Sequence, residues 1–327
     1  MEAIVVEDGV CVLRRVPAPA LPPGCVRISV RAAGVNRADL AQKAGRYPPP
    51  PGASPILGLE VSGVVTEVAD GVEPWRPGDP VCALLAGGGY ATEVVVDARH
   101  VLPLPPGVDH VGAAAVVEVF ATAWLNLQGE GGLEGRTGAR VLLHAGASGV
   151  GTAAIQLCRV LGHESFVVVG SDEKLAQCLA LGASGGANRH AGPWLPHARA
   201  WRADGVDLVL DPVGADTLAD DLEVLGTDGV LVVIGLLSGR QAPLDLGRLL
   251  VKRLRIQGST LRSRSDAFKA ELVATLRARV WPHFLDGTLR PLVHATFPLA
   301  EAEAAHALLA SNATTGALVL EVPLRGR

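Results

Sequence analysis

The chain has 327 residues, and because one hydrophobic core rarely grows beyond roughly 250 to 300 residues, this length predicts two domains. Hydrophobic residues make up 49% of the chain and charged residues 19%, with a formal net charge of -4, so nucleic acid is not the expected partner. No leader pattern and no uninterrupted apolar run of membrane-spanning length stand out, and we therefore expect a cytoplasmic protein with no membrane partner.

The first third of the chain is rich in Val, Gly and Pro, which predicts short strands separated by turns. These strands are expected at residues 26–32, 61–69, 80–85 and 90–96. The pattern indicates a compact, barrel-like β domain. The apolar stretch 111–127 is interrupted by Glu118 and Asn126 and predicts a buried helix.

From about residue 140, short apolar strands alternate with segments of helical length. The strands are expected at 141–144, 166–169, 206–210 and 230–234. Such alternation is typical of βαβ units, in which helices cover both faces of a parallel sheet. Ser171 as N-cap and Gly182 as stop signal predict one of the helices over 172–181. Residues 189–203 match no motif, and we interpret them as a surface loop.

The end of the chain does not continue this alternation. It predicts amphipathic helices over 266–284 and 300–311 and a closing strand over 317–322. We therefore assign the tail to the first domain. The predicted organisation is a first domain over 1–117, completed by 262–327, and a second domain over 118–261.

A glycine-rich turn joins the strand ending at His144 to the next helix. A pyrophosphate approaches backbone amides at a helix N-terminus, and side chains there would block both the turn and the approach. Gly146 is expected to make the turn, Gly149 to admit the phosphate and Gly151 to let the helix pack on the strand. The expected cofactor contacts in this turn are Gly146, Ser148, Gly149, Val150 and Gly151.

The end of the second strand indicates which dinucleotide binds. An NAD site usually places an acidic residue there for the ribose 2′-hydroxyl, whereas this chain has Gly170. Ser171, Lys174 and Arg189 can supply donors and positive charge for a 2′-phosphate. NADPH is therefore the expected cofactor. NADH stays open, because a one-residue shift of the strand end would bring Asp172 to the ribose.

Several segments together resemble the medium-chain dehydrogenase/reductase superfamily, and within it the zeta-crystallin-like NADPH:quinone oxidoreductases. These segments are AGVNRADL at 33–40, GRYPPPPGA at 45–53, ILGLEVSG at 56–63, LLAGGGY at 84–90, HAGASGVGTAAIQ at 144–156 and LRSR at 261–264. The resemblance spans nearly the whole chain. It implies an α/β protein with a GroES-like β-barrel catalytic domain and a Rossmann domain containing a doubly wound parallel sheet.

The zinc alcohol dehydrogenases of the same superfamily differ at two positions. They carry Cys where this chain has Asn36, and a Gly-His-Glu motif where it has Gly58-Leu59-Glu60. Amide and aliphatic side chains are not zinc ligands of this kind. The resemblance therefore implies an enzyme without a catalytic metal.

A reaction without metal favours an activated acceptor. Reduction of a simple ketone develops an alkoxide of high basicity, whereas reduction of a quinone develops a phenolate-like anion whose conjugate acid has a pKa of about 10. We expect hydride transfer from the nicotinamide to a quinone, or a similarly activated small molecule, in an interdomain cleft. The chemistry resides in the cofactor.

The resemblance also implies residue roles. Asn36, Tyr47 and Thr122 are the expected catalytic positions, and Tyr47 and Leu261 the expected substrate pocket. Further cofactor contacts are implied at Gly235, Leu236, Leu237 and Asn312. Family members are usually dimers joined through edge strands of the nucleotide domain, so a homodimer is expected.

Two alternatives remain open. An enoyl-thioester reductase of the same superfamily also works without metal but needs a proton donor, for which Tyr47 is the candidate. A nucleic-acid-binding or structural role, as in some zeta-crystallin relatives, would use a basic run whose members are Arg248, Lys252, Arg253, Arg255, Arg262 and Arg264. No aromatic residue interleaves this run, so a solvated face is the preferred interpretation.

Overall fold

The structure, a computed structural model, describes residues 1–323. It divides into two compact units: a split unit formed by Met1–Ala121 and the chain from Arg262 onward, and a central unit, Thr122–Leu261. The elements that begin before residue 122 are β1 (Glu2–Glu7), β2 (Val10–Arg15), β3 (Cys25–Val35), α1 (Arg37–Lys43), β4 (Glu60–Val68), β5 (Pro80–Leu84), β6 (Glu93–Asp97), β7 (Val101–Pro103), α2 (His110–Ala113) and α3 (Val117–Trp124).

The central unit alternates strands and helices. Its elements are β8 (Arg140–His144), α4 (Gly149–Val160), β9 (Glu164–Val169), α5 (Asp172–Leu181), β10 (Gly185–Asn188), α6 (Leu195–Trp201), β11 (Val206–Asp211), α7 (Leu218–Val224), β12 (Leu225–Val233), α8 (Leu246–Val251) and β13 (Arg255–Gly258). They form a parallel sheet of order β10-β9-β8-β11-β12-β13. The order reverses between β8 and β11, and ligands of such sheets bind at the carboxyl ends of the strands beside this switch point.

The tail of the chain adds α9 (Asp266–Arg279), α10 (Pro282–Leu285), β14 (Val293–Pro298), α11 (Ala302–Ala310) and β15 (Ala317–Glu321). The main sheet of the split unit has the order β14-β15-β3-β4-β5-β7, with β6 also paired to β3, and β1 and β2 form a separate hairpin. In β3, alternate residues face the core, where Val26, Ile28 and Val30 are buried. This alternation buries one face of the sheet and fixes the strand register.

The predicted helix over 172–181 is confirmed as α5. Ser171 Oγ accepts a hydrogen bond from the Lys174 N–H at 3.2 Å, which satisfies one of the unpaired amides of the first turn. Gly182 ends the helix with φ at 112°, a left-handed conformation that strains any residue with a Cβ. Local sequence signals therefore define both ends of this element.

Three predicted features are wrong in detail. Residues 189–203 are not only a loop, because they contain α6, and Trp194 before it is buried. The helix predicted over 266–284 is two helices, since Pro282 lacks the N–H that a continuing helix needs. Arg262 does not belong to a solvated basic face, because its side chain is only 4% exposed.

The apolar stretch around 111–127 is also interrupted. It consists of α2, α3 and a wide π-helical turn, Leu125–Gly129. The helical stretch His110–Gly129 is long and apolar enough to cross a membrane, but 78% of its most apolar window is buried inside the protein. Such burial is typical of a core helix.

Candidate active site

Two glycines of the turn at the end of β8, Gly146 and Gly151, have no room for a side chain. A Cβ on Gly146 would lie 2.6 Å from Val167 Cβ, and a Cβ on Gly151 would lie 2.5 Å from the carbonyl oxygen of Gly146. Ser148 is the N-cap of α4, and its Oγ accepts a hydrogen bond from the Gly151 N–H at 3.1 Å. Gly149 and Val150 form the first turn of α4. The result is a bare backbone cradle at a helix N-terminus, which suits a pyrophosphate.

The end of β9 carries a cationic side chain beside a glycine. A Cβ on Gly170 would lie 3.3 Å from the nearest guanidinium nitrogen of Arg189, so this guanidinium lies over Gly170. Arg189 is exposed, and no carboxylate of the described chain forms an ion pair with it. Asn188 Nδ2 donates to Asp172 Oδ1 at 3.0 Å, which engages the carboxylate that would otherwise serve a ribose. Together with Ser171 and Lys174 at the start of α5, this arrangement suits a phosphate.

The turn after β12 lies beside the same edge of the sheet. The Ile234 N–H donates to Asp211 O, and the Leu237 N–H donates to Pro212 O at 3.2 Å. Gly235 allows this approach, because a Cβ there would lie 2.7 Å from Pro212 O. Leu236 and Leu237 are 55% and 54% exposed, so this turn offers an apolar surface at the same edge of the sheet as the cradle.

Three buried polar residues lie beneath this edge. His144 Nε2 donates to Asp221 Oδ1 at 2.6 Å, and Asp211 accepts hydrogen bonds from the backbone of Val213 and Gly214 and from the Thr217 hydroxyl. Burial opposes protonation of His144, but the charge and hydrogen bond of Asp221 and the charge of Asp211 together outweigh it and raise the imidazole pKa. Since most oxygens of the cluster are already bonded, it serves to fix the ends of β8 and β11.

In the split unit, Asn36 is held by two buried carboxylates. Asn36 is the N-cap of α1 and its backbone N–H donates to Asp39 Oδ2 at 2.8 Å, while its Nδ2 donates to Glu60 Oε1 at 2.9 Å. Burial raises the pKa of Asp39 to about 6 and that of Glu60 to about 7. Asp39 also accepts from the Gly58 N–H and from the Tyr90 hydroxyl. Asn36 itself is half-buried.

Tyr47 is half-buried against the guanidinium of Arg262, whose Cζ lies 5.5 Å from the ring centroid. Arg262 donates to Ala86 O at 2.8 Å and to Gln42 Oε1 at 2.7 Å. Burial and then the charge of Glu118 raise the pKa of Tyr47, and Arg262 opposes them. Tyr47 therefore keeps its phenolic proton at neutral pH, with a cation beside the ring.

The remaining expected residues lie in three places. Thr122 is half-buried at the start of the central unit, and its carbonyl oxygen accepts from Asn126 Nδ2 at 2.7 Å. Leu261 is buried at the other end of that unit. Asn312, in the split unit, is exposed and its Oδ1 accepts from Arg37.

The residues at the position of the zinc site of related dehydrogenases do not suit a metal. Asn36 directs an N–H toward Glu60, and Leu59 is a core residue with 1% exposure. Among residues 1–323, the cluster of three or more His, Cys, Asp or Glu side chains with ligand spacing is the one at His144, Asp211 and Asp221 in the central unit. No thiolate or imidazole set therefore surrounds Asn36 in the described chain.

Sequence reasoning missed the parts played by Asp39, Glu60 and Arg262. All three are charged and at most 4% exposed. The available signal was a lone acidic residue, Glu60, within the apolar segment ILGLEVSG. A charge in such a run is costly to bury unless it has partners.

The parallel sheet carries a bare backbone cradle at its carboxyl edge, and the exposed guanidinium of Arg189 lies at the end of the neighbouring strand. These features together define a dinucleotide-binding protein. Two domain families match: the alcohol dehydrogenase GroES-like domain over residues 22–106 and the zinc-binding dehydrogenase domain over residues 149–277. The structure of the quinone oxidoreductase from Thermus thermophilus, also described in complex with NADPH, is 34% identical, with a TM-score of 0.80, over 98% of this chain and 100% of that one. The Escherichia coli quinone oxidoreductase complexed with NADPH is 27% identical, with a TM-score of 0.86, over 98% of both chains.

The chain belongs to the medium-chain dehydrogenase/reductase superfamily of oxidoreductases. The predicted fold class, a GroES-like domain with a Rossmann parallel-sheet domain, is thereby confirmed. Curated relatives include the spectinabilin polyketide synthase system protein NorB of Streptomyces orinoci, 36% identical over 94% of this chain, and the phthioceranic/hydroxyphthioceranic acid synthase of Mycobacterium tuberculosis, 35% identical over 93%. The chain spans only 13% and 14% of the length of these two proteins.

Proposed function

We propose that this chain is a zinc-independent, NADPH-dependent quinone oxidoreductase. The observation that carries the proposal is the environment of Asn36. An amide and an aliphatic side chain, Asn36 and Leu59, stand at the two positions that differ from zinc dehydrogenases, and the neighbouring Glu60 carboxylate is engaged in hydrogen bonds. When bound, the nicotinamide supplies the hydride. Without a Lewis acid, the acceptor must itself stabilise the negative charge that hydride transfer creates, and a quinone does so.

The residues of the central unit support NADPH as the cofactor. The cradle at Gly146 and Gly151 would hold the pyrophosphate, and Arg189 with Lys174 and Ser171 would hold the 2′-phosphate. Solved relatives are described in complex with NADPH. Leu236 and Leu237 would pack against the nicotinamide, and the resemblance adds Thr122 and Asn312 as further contacts.

On the acceptor side, the chain supplies binding and orientation. Tyr47, supported by Arg262, offers a flat aromatic face with a hydroxyl. Asn36 offers an amide held in place by Glu60, and Leu261 would line the pocket. Proximity then supplies much of the rate.

The test is a comparison of acceptors at fixed enzyme and NADPH concentrations. We expect ortho- and para-quinones to be reduced with a higher kcat/KM than a crotonyl thioester. Faster consumption of the thioester would reject the quinone as the main substrate class.

An enoyl-thioester reductase is the second candidate, and the polyketide synthase relatives favour it. This reaction adds a hydride to one alkene carbon and a proton to the other. The proton must come from a donor in the site, and the neutral Tyr47 hydroxyl is the group that could supply it.

A homodimer paired through β13 is the proposed assembly. This strand is the last of the central sheet, and all four of its residues are exposed. An uncovered edge strand can pair with the same edge of a second copy, which satisfies its free backbone groups. Exposed apolar side chains occur on β13 and on the preceding helix α8, where Leu250 and Val251 are each 77% exposed.

The basic run gives little support for a nucleic-acid partner. Lys252 Nζ donates to three backbone carbonyls, and Arg248 and Arg253 pair with Glu223 and Asp228. These contacts use the charges within the protein. A cytoplasmic location is proposed because all five cysteines are free thiols, as expected in a reducing compartment.

A further inference from the structure

Glu60 is enclosed on three sides at the start of β4. Its Oε1 accepts from Asn36 Nδ2 and its Oε2 accepts from the Glu118 N–H, both at 2.9 Å. The Val117 N–H also bonds to this carboxyl group. A Cβ on Gly34 would collide with Oε1, so the carboxyl group fits only beside a glycine. Glu60 is only 1% exposed and its side chain is held in place, so the change it can still undergo is the gain or loss of a proton.

An ionised carboxylate can only accept hydrogen bonds. Asn36 must then turn Nδ2 toward Glu60 and present Oδ1 on its other side, at the start of α1. The Asp39 N–H on that side also donates to the Asn36 backbone carbonyl at 3.0 Å and so keeps a partner if the amide turns. A protonated Glu60 can instead donate from Oε1, because Oε2 is still required as the acceptor for the buried Glu118 N–H. Asn36 then satisfies the contact with Oδ1 and presents Nδ2 outward.

We propose that Glu60 is the positioning residue for Asn36 and that protonation of Glu60 inverts the Asn36 amide, replacing a carbonyl acceptor with an N–H donor on its outer side. Three titratable groups face Glu60: Asp39 of α1, Cys82 of β5 and Tyr90 of the loop before β6. Burial raises the pKa of both Cys82 and Tyr90, so these two groups are neutral. Asp39 is therefore the charged neighbour.

The inversion falls in the neutral pH range. Burial raises the pKa of Glu60 to about 7, the hydrogen bonds from Asn36 and Glu118 oppose this, and the charge of Asp39 adds to it. The consequence for the acceptor rests on the proposed function. A quinone oxygen gains negative charge during hydride transfer and is stabilised by an N–H donor rather than by a carbonyl. The wild-type kcat/KM for a quinone should fall as pH rises through about 7.

The amide can be observed directly. Asparagine occurs only at 36, 126, 188 and 312, so selective ¹⁵N-asparagine labelling gives four pairs of side-chain amide signals, one pair per residue. The Asn36 signal is assigned by its loss in Asn36→Asp. In the wild-type protein we expect this signal to titrate with a midpoint near 7.

Glu60→Gln gives the decisive comparison. The Gln carbonyl must serve the Glu118 N–H, so its amide group faces Asn36 and holds Nδ2 outward at every pH. We expect the Asn36 signal to remain at its low-pH position and the quinone kcat/KM to lose its decline near neutral pH. Glu67→Gln, an exposed site on the same strand that pairs with Arg27, is the matched control and should titrate like wild type.

Two results would overturn the proposal: a wild-type Asn36 signal that is insensitive to pH, or a step near neutral pH that persists in Glu60→Gln. The wild-type titration requires no variant to fold. If the signal titrates as expected in a protein that reduces no quinone, the inversion stands and the proposed function fails.

Discussion

Arg189 and Lys174 are the residues that distinguish NADPH from NADH in the proposed site. Arg189→Ala removes a guanidinium that lies over Gly170. A charge-assisted contact of this kind contributes about 1.5–3 kcal/mol, so KM for NADPH should rise roughly 10- to 100-fold. Lys174→Ala should also raise KM for NADPH. Neither substitution should change KM for NADH appreciably.

The control for this experiment is Arg253→Ala, which removes an exposed arginine paired with Asp228. Its KM for NADPH should equal that of wild type. Equal losses for NADPH and NADH in Arg189→Ala would assign Arg189 a general role in binding rather than a contact with the 2′-phosphate.

Substitution of a single residue, Tyr47, should also distinguish the two candidate reactions. Tyr47→Phe keeps the ring against Arg262 and removes the hydroxyl. A proton donor contributes about 10²- to 10⁴-fold to a rate, so reduction of an enoyl thioester should fall by this range, whereas quinone reduction should change only a few-fold. A collapse of quinone reduction in Tyr47→Phe would show that the quinone reaction also needs this proton.

At the scale of elements, the turn between β8 and α4 depends on the absence of side chains. In Gly151→Ala the new Cβ would lie 2.5 Å from Gly146 O and 2.6 Å from Ala145 O, so the turn must open. We expect loss of dinucleotide binding, measured by nicotinamide fluorescence, with the sheet retained. Gly129→Ala is the control, because its Cβ meets only a Leu125 side-chain atom at 3.5 Å; equal binding by both variants would contradict the cradle.

The open edge of β13 makes a prediction about assembly. Ile256 is 40% exposed on this strand, and Ile256→Lys places like charges near each other when two copies pair. We expect a monomer by light scattering where wild type is a dimer. Leu285→Lys, which replaces an exposed leucine of α10 in the split unit, should leave the dimer intact, and a dimer in Ile256→Lys would reject this edge as the interface.

At the scale of the whole molecule, Glu60 also couples stability to pH. Its folded pKa of about 7 lies above the ordinary value of about 4.3, so the folded state binds the proton more tightly. The resulting stabilisation is complete below the unfolded pKa and is lost as pH rises through the folded one. Glu60→Gln avoids this loss, so its stability relative to wild type should be higher at alkaline pH than at acidic pH by on the order of 4 kcal/mol.

The measurement is the thermal midpoint of both proteins between about pH 6.5 and 8.5. The nine histidines are common to both proteins, so their titration cancels in the difference between the two midpoints. His306, whose pKa burial lowers to about 4, then contributes little. The midpoint of wild type should fall relative to that of Glu60→Gln as pH rises. Parallel curves would mean that Glu60 is already ionised, or still protonated, throughout this range.

The sequence predicted those features whose causes are local. The turn from Gly146 to Gly151 and the ends of α5 depend on glycine conformations and on one serine cap, all of which can be identified in a short window. Helix α6 was missed because Trp194 before it packs against the distant His144, with ring centroids 5.0 Å apart.

The burial of Glu60 and Arg262 has the same kind of cause. The partners of Glu60 come from α1 and α3, and Arg262 donates to Ala86 and Gln42, far away in the sequence. Chain folding rather than local pattern creates these environments. For this reason the cofactor side of the candidate site was easier to predict than the support of Asn36.

The most direct test of metal-free quinone reduction is a single-turnover experiment on chelator-dialysed protein. Equimolar protein and NADPH are mixed with a para-quinone, and the nicotinamide absorbance is followed alongside metal analysis of the same sample. We predict one equivalent of NADPH oxidised per chain, at the same rate before and after dialysis. Loss of the reaction on dialysis and its return with Zn²⁺ would contradict metal-free quinone reduction. Absence of NADPH oxidation in both samples would contradict it as well.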